Sequence, residues 1–130
     1  MRRPTLAPVV ATITPAEPRK SLPWYRWFPG DYMRSTRGWS LLEHGLYRVL
    51  LDAAWDLNGL PDDEEEIRRL SVAAPAEWKS AWRRVASKFP LTPDGRRRNP
   101  RQEQERANSA RVQAERSKAA TISWEKRRGK

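Results

Sequence analysis

A mainly α-helical domain with one small β-hairpin is the fold class that this 130-residue chain predicts. Three observations carry the expectation. Ser40 and Glu43 stand three apart at the head of an apolar run with helical spacing, as in a capping box. Trp78, Trp82, Val85 and Phe89 recur at steps of four, three and four, the signature of a second buried helix face. Asp94-Gly95 is a strong turn signal between two short segments.

The elements follow in order. Residues 1–22 are rich in Pro, Thr and Ala, lack periodicity and are expected to be a disordered basic tail. Trp24 to Tyr32 reads as extended, because Pro23 and Pro29 disfavour helix before them, with a turn at Pro29-Gly30-Asp31. A first long helix is expected from about Leu41 to Leu57. Its stripe is Leu42, Leu46, Val49, Leu50, Ala53 and Leu57, widened by Leu41 and Trp55. Asn58-Gly59 and then Pro61 stop it. Asp62 is the expected cap of a short second helix, with Glu64 and Glu65 at its positive end and Ile67 and Leu70 as its apolar contacts. Pro75 opens a third helix at the first helical position. The hairpin runs from Phe89 through Asp94-Gly95 to Arg96-Arg97-Arg98, with Pro90 holding its first strand to an edge. From Pro100 onward the chain is helix-prone but polar nearly all round, and such a helix is marginal in water without a partner. The expected division is a tail at 1–22, a domain at 23–99 and a basic helical extension at 100–130.

Helix, short helix, third helix and hairpin, in that order, make a winged helix: a helix-turn-helix with the hairpin as its wing. In that arrangement the third helix enters the major groove and the wing rides on the backbone. Lys79, Arg83, Arg84 and Lys88 on the third helix, Arg96, Arg97 and Arg98 on the wing, and Arg101 just beyond it are therefore the candidate nucleic-acid-binding residues. The alternative is an ordinary solvated basic face.

Charge distribution points the same way. The chain carries a formal charge of +10. Residues 24–89 hold ten basic and ten acidic side chains, whereas residues 90–130 hold twelve basic and five acidic, and residues 1–23 hold four basic and one acidic. The excess lies outside the apolar middle, an arrangement that a polyanionic partner, DNA first, explains. The alternative is that basic tails serve only solubility.

Other chemistry is thinly represented. There is no cysteine, so disulfides and thiolate metal sites are excluded. His44 is the only histidine, and beside Glu43 alone it makes no metal site of normal ligand count. Asp62 to Glu66 are explained by capping and the helix dipole. No phosphate loop, nucleophile elbow or paired catalytic carboxylate is present, so neither catalysis nor a cofactor is expected. No run approaches the length that spans a bilayer, so no membrane partner is expected, and the absence of cysteine is consistent with a reducing, intracellular home. Trp39, Trp55, Trp78 and Trp82 are expected in the core. Trp24 and Trp27 either stack on bases or cover the long helix. Trp124, alone in a basic tail, is the candidate anchor for a protein partner.

The residues Pro23-Trp24-Tyr25, Asp31-Tyr32, Thr36, Leu42-Glu43-His44-Gly45, Tyr47, Leu50, Leu51 and Trp55 resemble the opening of the YdaU-like proteins of phages and prophages. Pro61-Asp62-Asp63, Ile67, Leu70 and Trp78 continue the pattern, as do Glu115-Arg116-Ser117-Lys118-Ala119-Ala120 and Trp124, so the match spans roughly 23–124. The resemblance implies a winged-helix-like domain among phage replication genes. It also implies kinship with initiators of the lambda O type, which bind origin DNA and recruit a helicase or its loader. Ala74 departs from the pattern, standing where members often carry a Ser or Thr cap, and the recruiting region is reduced to a short basic tail. A rival role is a module that binds, and recruits or inhibits, a host replication or transcription protein.

Overall fold

The computed structural model describes residues 23–129; the tail expected at 1–22 lies outside the described residues. The chain is mainly helical with a small antiparallel sheet. Its elements are α1 (Pro29–Ser35), α2 (Leu41–Asp56), β1 (Leu60–Pro61), α3 (Glu64–Ser71), α4 (Pro75–Ala86), β2 (Arg96–Arg97) and α5 (Pro100–Arg128).

α2 is the central element, and its start is the expected capping box. Ser40 Oγ accepts from the Glu43 amide at 3.1 Å, and Glu43 Oε1 accepts from the Ser40 amide at 2.8 Å. The helix stops at Leu57, followed by Asn58 and Gly59, both at positive φ (58° and 98°). A Cβ on Gly59 would meet Arg96 and Arg98 atoms at 3.2 Å, so the hairpin packs directly onto this turn. The buried face of α2 is rotated from the expected stripe. Leu46, Tyr47, Leu50, Leu51, Ala54 and Trp55 are buried, while Leu41 and Val49 face solvent. The rotation arises because α2 is covered from two sides. Ile67 of α3 and Ala81, Trp82 and Val85 of α4 belong to the same core as Leu50, and the head of α5 takes the Leu51 side, where Gln102 Nε2 donates to the Leu51 carbonyl at 2.7 Å.

Asp63, one residue later than expected, caps α3, accepting from the Glu65 and Glu66 amides. The helix ends on Val72 in the left-handed region (φ 55°). Pro75 occupies the first turn of α4, where Glu77 accepts from the Ala74 amide at 2.8 Å. Ala74 has no side chain to cap with, and the Glu supplies the reciprocal half of the motif. Trp78 and Trp82 stack at 4.4 Å between centroids. Trp55 and Trp82 are buried, and Trp39 and Trp78 are packed against the core and partly exposed.

Two expectations require correction. The segment Pro29–Ser35 is helical rather than a turn closing an extended run; Pro29 sits at a first-turn position where its missing N–H costs nothing. Only Trp24–Phe28 is non-helical. It lies along α2, with the Tyr25 ring 5.1 Å from that of Trp55 and the Arg48 guanidinium 4.5 Å above Trp27. The hairpin is also more than two strands flanking a turn. Leu91 makes a single bridge to Arg97 across the Thr92–Gly95 turn, and β2 pairs on its other edge with β1, in register Leu60↔Arg97 and Pro61↔Arg96. β1 escaped prediction because two residues carry no alternation.

The packed body continues beyond residue 99. Asn99 caps α5 by accepting from the Gln102 amide, and its Nδ2 donates to both Tyr47 Oη and the Lys88 carbonyl, each at 3.0 Å. Gln102, Glu105 and Ser109 are buried along the first three turns. The Arg106 guanidinium donates to the Ala54 and Trp55 carbonyls at the end of α2. Beyond Gln113 every described residue of α5 is exposed.

Candidate nucleic-acid interface

The cationic residues singled out in the sequence fall into three groups, each held by a different part of the fold.

The first group lies on α4. Lys79 and Arg83 are exposed and make no ion pair among the described residues. Arg84 folds back on the head of α2, donating to the Gly38 carbonyl at 3.0 Å and to Glu43 at 3.2 Å. Lys88 Nζ lies 5.8 Å from the centre of the Trp39 ring. Arg37, which sequence reasoning did not select, is exposed beside Gly38 and is thereby brought next to this face. A lone Arg in a turn carries no periodic signal. Only the Arg84–Gly38 contact reveals its place.

The second group is on the hairpin, expected as a wing, and its arginines are occupied. Arg96 donates to the Gly59 and Leu57 carbonyls. Arg97 pairs with Asp62 at 3.1 Å and donates to the Phe89 carbonyl. Arg98, 15% exposed, is held between Asp94 at 2.8 Å and Glu103 at 3.3 Å and also donates to Asn58. Asp94 takes hydrogen bonds from Thr92 Oγ1, from Arg98 and from the Arg96 amide, which hold its carboxyl far below the usual carboxylate range. Arg101 pairs with Asp31 and stacks over Phe28 at 4.6 Å. These guanidinium groups fasten the hairpin and α5 to the body.

The expected single patch of Arg83 and Arg84 with Arg96–Arg98 is therefore not assembled. Arg84 is anchored at Glu43 and Arg98 at Asn58, fifteen residues further along, or about 22 Å at helical rise. Backbone carbonyls exposed by the Asn58-Gly59 stop hold Arg96 at the far end of α2, and the Asn58 side chain holds Arg98 there.

The third group lines the outer half of α5. Arg116, Lys118, Lys126 and Arg128 are exposed with no ion pair among the described residues. Arg111 pairs with Glu115 at 2.9 Å. Trp124 is 56% exposed, with Arg127 over its ring at 5.9 Å, and Ile122 is also exposed. From 110 to 130 the chain carries seven basic and two acidic side chains.

Beside the body, a cleft of about 480 Å³ opens between the Trp24–Phe28 segment, α1 and the head of α5. Trp27, Phe28, Tyr32, Tyr47 and Leu51 supply its apolar wall. His44, behind it, shares a 2.8 Å hydrogen bond through Nδ1 with Tyr32 Oη, a structural arrangement. Among the described residues, no three His, Asp or Glu side chains cluster so as to hold a metal ion, and none of their helices is long and apolar enough to cross a membrane.

On the cleft wall Glu105 receives two hydrogen bonds from Arg26, at 2.8 and 2.9 Å, and these hold its carboxyl below the ordinary value. A depressed native pKa stabilises the fold at pH above the unfolded value, and that contribution disappears as pH falls through the native one. Melting temperature is therefore expected to fall between about pH 5 and about pH 3, and to fall less steeply in Glu105→Gln. A scan of thermal unfolding against pH checks this, and parallel curves for the two proteins would remove Glu105 from the account.

The family model of DUF1376, proteins of unknown function, matches residues 23–107. The chain belongs to the DUF1376 family. No curated protein and no solved structure matches it. The DUF1376 segment begins at the first described residue and ends within α5, close to the last buried side chain, Ser109. The unpaired cations of the outer helix thus lie beyond the DUF1376 segment, while those of α4 lie within it.

Proposed function

We propose that this DUF1376 protein binds nucleic acid, as a phage- or prophage-type protein of the YdaU-like kind acting in replication initiation. The observation that carries the reading is the exposed outer half of α5, where unpaired cations follow one another along a helix that nothing in the body neutralises. Lys79 and Arg83 on α4, with Arg37 from the turn beside Gly38, add a smaller cationic surface. The element order α2, β1, α3, α4, hairpin supports a winged-helix reading of the body. Within that reading the wing is fixed by its own arginines, so phosphate contact falls to α4 and to the helical arm. Exposed Ile122 and Trp124 favour a second reading, in which the arm also captures a replication partner such as a helicase or its loader.

The test is a titration of fluorescent duplex DNA at low salt with three variants. Arg116→Glu with Lys118→Glu and Arg127→Glu is expected to weaken binding at least tenfold. Lys79→Glu with Arg83→Glu is expected to weaken it less. Arg98→Ala, whose charge is spent inside the fold, should leave affinity within twofold. Wild-type affinity in the triple arm variant would defeat the nucleic-acid reading and leave the arm to protein partners.

A further inference from the structure

The cleft has a feature that its own wall does not explain. Gln102, 3% exposed, lines it and uses its Nε2 on the Leu51 carbonyl, yet its Oε1 is buried with no hydrogen-bond partner. A buried acceptor left unmade is costly, and it invites an N–H from whatever enters. The rest of the wall offers aromatic rings, with Phe28, under the Arg101 guanidinium, and Trp27, under that of Arg48, each still about two-fifths exposed. The rim carries Lys88, which has no ion pair among the described residues. α5 runs directly from this cleft into the cationic arm, and Arg101 and Arg111 are separated by about 15 Å at helical rise, a few nucleotides' reach.

We propose that this cleft receives one unstacked base of a nucleic-acid single strand, its face against Phe28 and Trp27 and its edge N–H donated to Gln102 Oε1. Lys88 meets a flanking phosphate, and the strand continues along α5. The proposal rests on the nucleic-acid reading above and adds to it a preference for unpaired strands. Ring faces accept any base, while duplex DNA keeps its base faces stacked. A polyanion suits a chain of charge +10 better than a neutral or basic peptide would.

The experiment compares full-length protein binding to a short oligothymidylate and to an abasic strand with the same number of phosphates. The base-bearing strand is expected to bind about tenfold tighter. Trp27→Ala with Phe28→Ala, both at partly exposed positions, should erase that preference while duplex and abasic affinities hold. In parallel, the Gln102 side-chain amide resonance should move on adding oligothymidylate and stay still with the abasic strand. Equal binding of the two strands by wild type, or a preference that survives in the double variant, would overturn this inference alone. Absence of binding to any strand would overturn the nucleic-acid reading along with it.

Discussion

Phe89→Ala is expected to cost about 3–5 kcal/mol, enough to lower the melting temperature by more than about 12 °C and to leave a marginal domain largely unfolded. Phe89 is fully buried, and its ring meets Tyr47 edge-on at 5.8 Å between centroids. It ends the stripe begun by Trp78 and sits where α4, α2 and the hairpin converge, with its carbonyl taken by Arg97. Removing it leaves a void bordered by three elements that are tied by hydrogen bonds at other points and so collapse poorly into it. Leu91, two residues along and 53% exposed, is the control: Leu91→Ala should change stability by no more than about 0.5 kcal/mol. Chemical denaturation of both variants decides the matter. A loss below about 1 kcal/mol for Phe89→Ala would mean that this junction is not closed in solution.

The second large effect concerns salt. If the net excess of five charges between 110 and 130 neutralises five phosphates, log affinity should fall with log salt at a slope near −4.5 from this arm alone, about 0.9 per phosphate. Between about 50 and 200 mM salt that is roughly a 500-fold loss. Removing residues 110–130 should flatten the slope by about that amount and leave the melting temperature nearly unchanged, because residues 100–109 supply the packed turns. Affinity measured at four or more salt concentrations reads both slopes. Equal slopes for the full and shortened chains would show that the arm does not touch the backbone of the nucleic acid.

What the sequence made legible was whatever two or three neighbouring residues decide between themselves. The Ser40–Glu43 cap, the Asn58-Gly59 stop, Pro75 at the head of α4 and the Asp94-Gly95 turn are all local agreements, and all stand in the structure. The buried face of α2 was only half legible. Periodicity fixed that a stripe exists, but its centre depended on Gln102 and the head of α5 arriving on the Leu51 side. α1 was hidden because Pro29 serves equally as a helix opener and a turn residue. Charge was the least legible property. Arg83 and Arg98 look alike in the chain, yet one faces solvent while the other lies between two carboxylates, forty residues from the helix stop it also holds. The partners that consume a cation are set by the tertiary path, so a count of arginines overstates how many remain for a ligand.

That α5 continues without a break from packed turns into bare ones has a kinetic corollary. An isolated basic peptide of this length must first form a costly nucleus before any turn is gained. Here Asn99, Gln102 and Ser109 have already secured the seed, so the outer turns need only zip onto it residue by residue, on a timescale of about nanoseconds each. Whatever the arm grips, it can release and regrip by melting from its outer turns inward, while the body beneath stays folded.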